Sequence, residues 1–154
     1  MDNFDQFVNE LQAKVFDEAR EAYGQKGFER WRNPRYNSRM ASADSSARVT
    51  GECGDSIEIY LKIVKNRIKN ASYVTDGCGT SNICGSFAAE LAIGKNLDEV
   101  ADIDGEAVLN AIGRLPDDDR HCADLAAAAL QEALSRYMQR LVSGAPTPPA
   151  NLTG

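Results

Sequence analysis

Cys53 and Asp55 stand two residues apart in the run Gly51-Glu52-Cys53-Gly54-Asp55. Cys78 lies between glycines in Asp76-Gly77-Cys78-Gly79, and His121 adjoins Cys122. Thiolates bind iron and zinc and attack sulfane sulfur, and a carboxylate or an imidazole can complete such a coordination sphere. A ligand at a loop tip needs a sharply turning backbone, which the flanking glycines allow. Cys78 and Cys122 fall near expected helix starts, where the positive end of the helix dipole favours thiolate. The spacing is not that of a zinc knuckle with paired C-x-x-C ligands. On chemistry alone the bland readings stay open: each cysteine as a small apolar side chain, Asp55 as a loop cap, His121 as an ordinary polar residue. Cys84 shares an apolar helical stripe with Ile83 and Phe87, which predicts core packing for it.

The elements that must position these residues are legible from periodicity. Residues 55–63 alternate polar and apolar side chains, as a half-buried strand does, and residues 68–75 return as a second strand after a turn at Lys65-Asn66-Arg67. Arg48-Val49-Thr50 supplies a third strand, and connections this short require an antiparallel meander. Past Gly79 the period becomes helical through Leu91, with Gly94 suited to the C-terminal cap. Short helices are expected over residues 97–101 and 106–112, Pro116 breaks the chain, and a long helix is expected from about Asp119 to Leu141. Ahead of the sheet, Phe4, Phe7, Val8, Leu11, Val15, Ala19 and Ala22 recur at helical spacing. They predict an amphipathic helix that packs this stripe on the core and stops at Gly24. Residues 27–46 read as an irregular connector, and the Pro-rich end as a disordered tail. The fold class is α+β: a small antiparallel three-stranded sheet with helices packed on one side, plus an extended N-terminal helix. Residues 1–30 form that helix, 31–142 the main domain and 143–154 the flexible tail.

Composition limits the function. A net charge of −6 argues against nucleic-acid binding, which requires clustered cations on the phosphates. No apolar run approaches the length of a membrane span, and no secretory leader is evident, so a cytoplasmic location is expected. Four cysteines in a reducing compartment read as metal or thiol chemistry, not disulfides. The basic residues Lys26, Arg30, Arg32, Arg35 and Arg39 and the acidic run Asp117-Asp118-Asp119 form opposed patches, either solvated faces or a surface for a protein partner.

Taken in order, Gly51-Glu52-Cys53-Gly54-Asp55, Asp76-Gly77-Cys78-Gly79 and Leu115-Pro116 leading to His121-Cys122 resemble the U-type iron–sulfur scaffold proteins, the IscU/NifU N-terminal family. Arg32-Asn33-Pro34-Arg35 and Gly94-Lys95-Asn96-Leu97-Asp98-Glu99-Val100 are similar to further family stretches. The resemblance implies a non-enzymatic scaffold for a [2Fe–2S] cluster, with Cys53, Asp55, Cys78, His121 and Cys122 as the metal site. It implies Cys122 and Cys53 as sulfur acceptors, a cysteine desulfurase and acceptor apoproteins as partners, and Zn²⁺ as an ion the same residues can hold. A homo-oligomer bridged by the cluster is compatible with it. Asp117-Asp118-Asp119 replaces an apolar and cationic stretch that serves chaperone docking in the family, which argues against that partner here. Two rival readings follow: a zinc-bound persulfide acceptor of the SufU type, and an adaptor built on a structural metal.

Overall fold

Alternation of polar and apolar residues dictates the sheet. In the computed structural model, which describes residues 2–144, β1 (Ser45–Thr50), β2 (Ser56–Val64) and β3 (Arg67–Thr75) form an antiparallel meander in that order. Pairing sets Ala47 and Tyr73 on either side of Ile59, and Val49 and Thr75 on either side of Ile57, so these side chains share one face. The β2–β3 turn places Lys65 and Asn66 at φ 53° and 61°, the left-handed pair that a two-residue hairpin loop requires. The expected third strand was too short: β1 begins at Ser45, whose hydroxyl donates to the Ala133 carbonyl of the last helix.

Helices cover the Ile57–Ile59 face. They are α2 (Gly79–Ala92), α3 (Leu97–Ala101), α4 (Gly105–Ile112) and α5 (Arg120–Ser143), with a single 3₁₀ turn at Asp117–Asp119 before α5. Ala126, Ala129 and Ala133 are fully buried, and such small side chains let α5 lie close against the strands. Ile57, Ile59, Leu61, Ile83 and Leu130 fill the space between, each contributing roughly 1.5–3 kcal/mol by leaving water. Cys84 sits in this core at 0% exposure, as its place on the stripe implied. On the opposite face the connector lays Arg39 against Glu58 and Tyr60, and Asp44 against Lys62.

The N-terminal segment departs from expectation twice. α1 (Asn3–Arg32) does not end at Gly24; the glycine makes a kink at φ 72°, and the helix resumes to Arg32, taking in residues 27–32 of the expected connector. Nor does most of the apolar stripe reach the core: Phe4, Phe7, Val8, Leu11 and Val15 are all exposed, and Ala19 is its buried member. A helical period shows only that one face is apolar; here the first turns project past the domain with nothing beside that face among the described residues. Packing begins further on, with Ala19, Phe28 and Arg30. Phe16 stacks edge-on against Phe28 and Trp31. The basic segment is partly used within the fold, since Arg30 pairs with Glu90 and Arg39 with Glu58. Of the tail, residues 145–154 lie outside the described residues.

Candidate metal centre

Backbone turns bring the three motifs to one end of the sheet. The β1–β2 loop carries Cys53 and Asp55 and is closed by the Gly51 amide donating to the Asp55 carbonyl at 2.9 Å and the Gly54 amide donating to the Gly51 carbonyl at 3.0 Å. Gly54 takes φ +90°, a conformation that a residue with a Cβ rarely adopts. The β3–α2 loop carries Cys78 and is fastened to the first: Asp76 accepts from the Ser56 amide at 2.7 Å and pairs with Arg48 at 3.2 Å. The Thr75 hydroxyl adds a bond to the Ser56 carbonyl. Cys78 immediately precedes α2, and its thiol makes no capping bond and is exposed.

Cys122 arrives from the other side, on the first turn of α5, and is 1% exposed. Its Sγ lies 3.6 Å from His121 Nε2 and 3.7 Å from the Ser81 hydroxyl, which itself stands 3.3 Å from Asp55 Oδ2. Ser81 thus links Asp55 to Cys122, and Cys122 in turn meets His121. Exposed Cys53 and His121 line one open cleft of about 790 Å³ together with Glu52, Asp124 and Leu125. As they stand, no three His, Cys, Asp or Glu side chains among the described residues close on one point as an ion would require. Asp55 and Cys122 each border the Ser81 hydroxyl, which stands between them.

Electrostatics separates the thiols. Burial pushes the Cys122 thiol up to about 11; the Ser81 hydrogen bond opposes this, while the charges of Cys78, Asp119 and Cys53 reinforce it. The expected helix-start preference for thiolate at Cys122 is therefore outweighed by loss of water around the sulfur. Cys84 is pushed up further, again first by burial and then by the neighbouring charge of Cys122, which suits a packing role.

Several neighbours escaped the sequence reading. Ser81 lies three residues beyond Cys78, on the same face of α2's first turn, and that i,i+3 spacing was its only signal. Thr80 donates to Asp119 at 3.1 Å and meets the Tyr23 hydroxyl at 3.1 Å, tying α1 and the acidic turn to α2. Trp31 lies directly over Gly79, where an added Cβ would come within 2.7 Å of its Nε1. None of these long-range pairs carries a local pattern.

Comparisons with known proteins agree with this architecture. The chain is 37% identical over 119 residues to the iron-sulfur cluster assembly scaffold protein IscU 1 of Archaeoglobus fulgidus, covering 77% of this chain and 78% of that protein. It is 30% identical over 121 residues to the iron-sulfur cluster assembly scaffold protein IscU of Haemophilus influenzae, covering 75% of this chain and 95% of that protein. The crystal structure of a NifU-like N-terminal protein from Brucella abortus shares the fold, with a TM-score of 0.61 at 19% identity over 79% of this chain and 97% of that one. The family model for the NifU-like N-terminal domain matches residues 22–143, beginning inside α1 just before the kink and ending with α5. On that match and those identities, the chain belongs to the NifU-like N-terminal domain family.

Proposed function

We propose that this protein is a scaffold on which a [2Fe–2S] cluster is assembled and from which it is passed to acceptor apoproteins, not a catalyst with a turnover site. The single observation that carries the reading is the convergence of Asp55, from the β1–β2 loop, and Cys122, from the start of α5, on the Ser81 hydroxyl, with His121 against the Cys122 sulfur. Cys53, Cys78 and Cys122 hold the cluster, and Asp55 or His121 completes the site. A carboxylate or imidazole in place of a fourth thiolate weakens the grip, which suits a cargo that must leave.

Sulfur enters from a cysteine desulfurase. Cys53 is the first acceptor, because it is exposed on its loop whereas Cys122 is buried and its thiol pushed up to about 11. The Cys53 thiolate attacks the outer sulfur of the desulfurase persulfide; that S–S bond breaks, the desulfurase cysteine leaves as thiolate, and Cys53 becomes the persulfide. Passage to Cys122 repeats the exchange. Each sulfane sulfur then takes two electrons from an external reductant to become the sulfide that bridges iron.

The same three thiols and one harder donor also match tetrahedral Zn²⁺, so a zinc-bound persulfide acceptor is the second reading. Anaerobic incubation with ferrous iron, cysteine and a desulfurase separates the two. A scaffold turns brown, gains visible sulfur-to-iron absorption, and loses it to an added apo-ferredoxin. A protein that stays colourless, keeps zinc and only raises desulfurase turnover refutes the scaffold reading.

A further inference from the structure

We infer that Ser81 is a positioning residue for this site: its hydroxyl holds the Asp55 carboxylate beside Cys122, so that both present to the same metal. The inference deepens the scaffold reading and rests on it. Ser81 is completely buried on the first turn of α2, between a loop that carries the carboxylate and a helix that carries the thiol. Its Oγ lies 3.3 Å from Asp55 Oδ2 and 3.7 Å from Cys122 Sγ. Among the described residues no other side chain or amide hydrogen-bonds the Asp55 carboxylate, so Ser81 is its tether.

The space around the pair is shaped for it. A Cβ on Gly77 would come within 2.6 Å of Ser81 Oγ and 2.9 Å of Asp55 Oδ2. Gly77 therefore lacks a side chain where the hydroxyl and the carboxylate meet. A half-buried carboxylate without its partner turns toward water, where it is better solvated. With the hydroxyl present, the carboxylate oxygen and the Cys122 sulfur have one common neighbour, the Ser81 oxygen, at 3.3 and 3.7 Å. Hydrogen-bond partners that orient metal ligands commonly carry a roughly 10–100-fold share of metal affinity.

The test uses Co²⁺ as a probe on the full-length metal-free protein, read by its thiolate charge-transfer and ligand-field absorption. Ser81→Ala is expected to weaken Co²⁺ binding roughly tenfold while still folding, with a single cooperative melting transition. Its ligand-field spectrum should match that of Asp55→Ala, and the double variant should bind no more weakly than Asp55→Ala alone. Gly77→Ala, which crowds the same pair without removing the hydroxyl, should reproduce the effect. The inference is overturned if Ser81→Ala binds like the wild type, or if its loss adds in full to that of Asp55→Ala. A wild-type protein that takes up neither Co²⁺ nor a cluster refutes the functional reading itself, a result distinct from equal binding by wild type and Ser81→Ala.

Discussion

The Thr80 hydroxyl donates to the Asp119 carboxylate at 3.1 Å, so the last residue of the acidic run is part of the fold and not only a solvated charge. Thr80 is buried and also meets Tyr23, which makes it the junction of α1, α2 and the turn that leads into α5. Asp119→Ala should cost about 1 kcal/mol of stability, the usual worth of such a bond. Thr80→Val should cost more, because Tyr23 and Asp119 both lose their partner. Urea unfolding of the two variants checks the order; equal stability of both with the wild type would show that the junction is incidental.

The thiols should react in two classes. Cys53 and Cys78 are exposed, whereas Cys122 and Cys84 are buried. With its thiol pushed up to about 11, Cys122 is almost wholly protonated at pH 8 and gains thiolate only as the pH climbs towards that value. Alkylation of the native metal-free protein at pH 8, followed by peptide mass spectrometry, should modify Cys53 and Cys78 at least about tenfold faster than Cys122. Labelling of Cys122 at the same rate as Cys53 would contradict the buried placement of its sulfur.

Asp55→Ala should lengthen the life of a reconstituted cluster, because a weak oxygen ligand eases release. Decay of the visible absorption after mixing with apo-ferredoxin measures it. Unchanged or faster decay would remove the carboxylate from the release step.

Alkaline pH should unfold the protein through two tyrosines. Burial raises Tyr73 to about 12, and burial followed by its hydrogen bond to Glu58 raises Tyr60 to about 12. Unfolded tyrosine ionises near 10, so the unfolded chain releases these protons first. Stability from this source is intact below about pH 10 and is lost as the pH rises towards 12. Tyrosinate absorbance and far-ultraviolet circular dichroism should change together in that window; ionisation of all five tyrosines without loss of structure would refute it.

Removing residues 1–12 should leave stability within about 0.5 kcal/mol, since that part of α1 is exposed throughout its described length and makes no packing contribution to the core. The cut spares Phe16, the first residue to stack on Phe28 and Trp31. A large drop in melting temperature would mean that the projecting turns are supported by more than their own helix.

Local pattern determined much of this protein. Alternation in 55–63 marked β2, the return at Lys65-Asn66 marked the hairpin, and helical spacing placed α2 and α5 within a few residues of their observed bounds. These are properties of neighbouring residues, and periodicity records which face of an element is apolar. The motifs with cysteine, aspartate and histidine stood out as well, because those residue types are the ones that metal chemistry would use. Tertiary structure alone decided what lies opposite each face and which side chains meet across the three motifs. Phe4 and Leu11 show the first limit: their part of the stripe is real but meets no core among the described residues. Ser81 shows the second, since its worth depends on Asp55 and Cys122 arriving from 26 positions before it and 41 after. Burial of the Cys122 sulfur follows from the same convergence, and it overrides the helix-start electrostatics that the linear sequence could suggest.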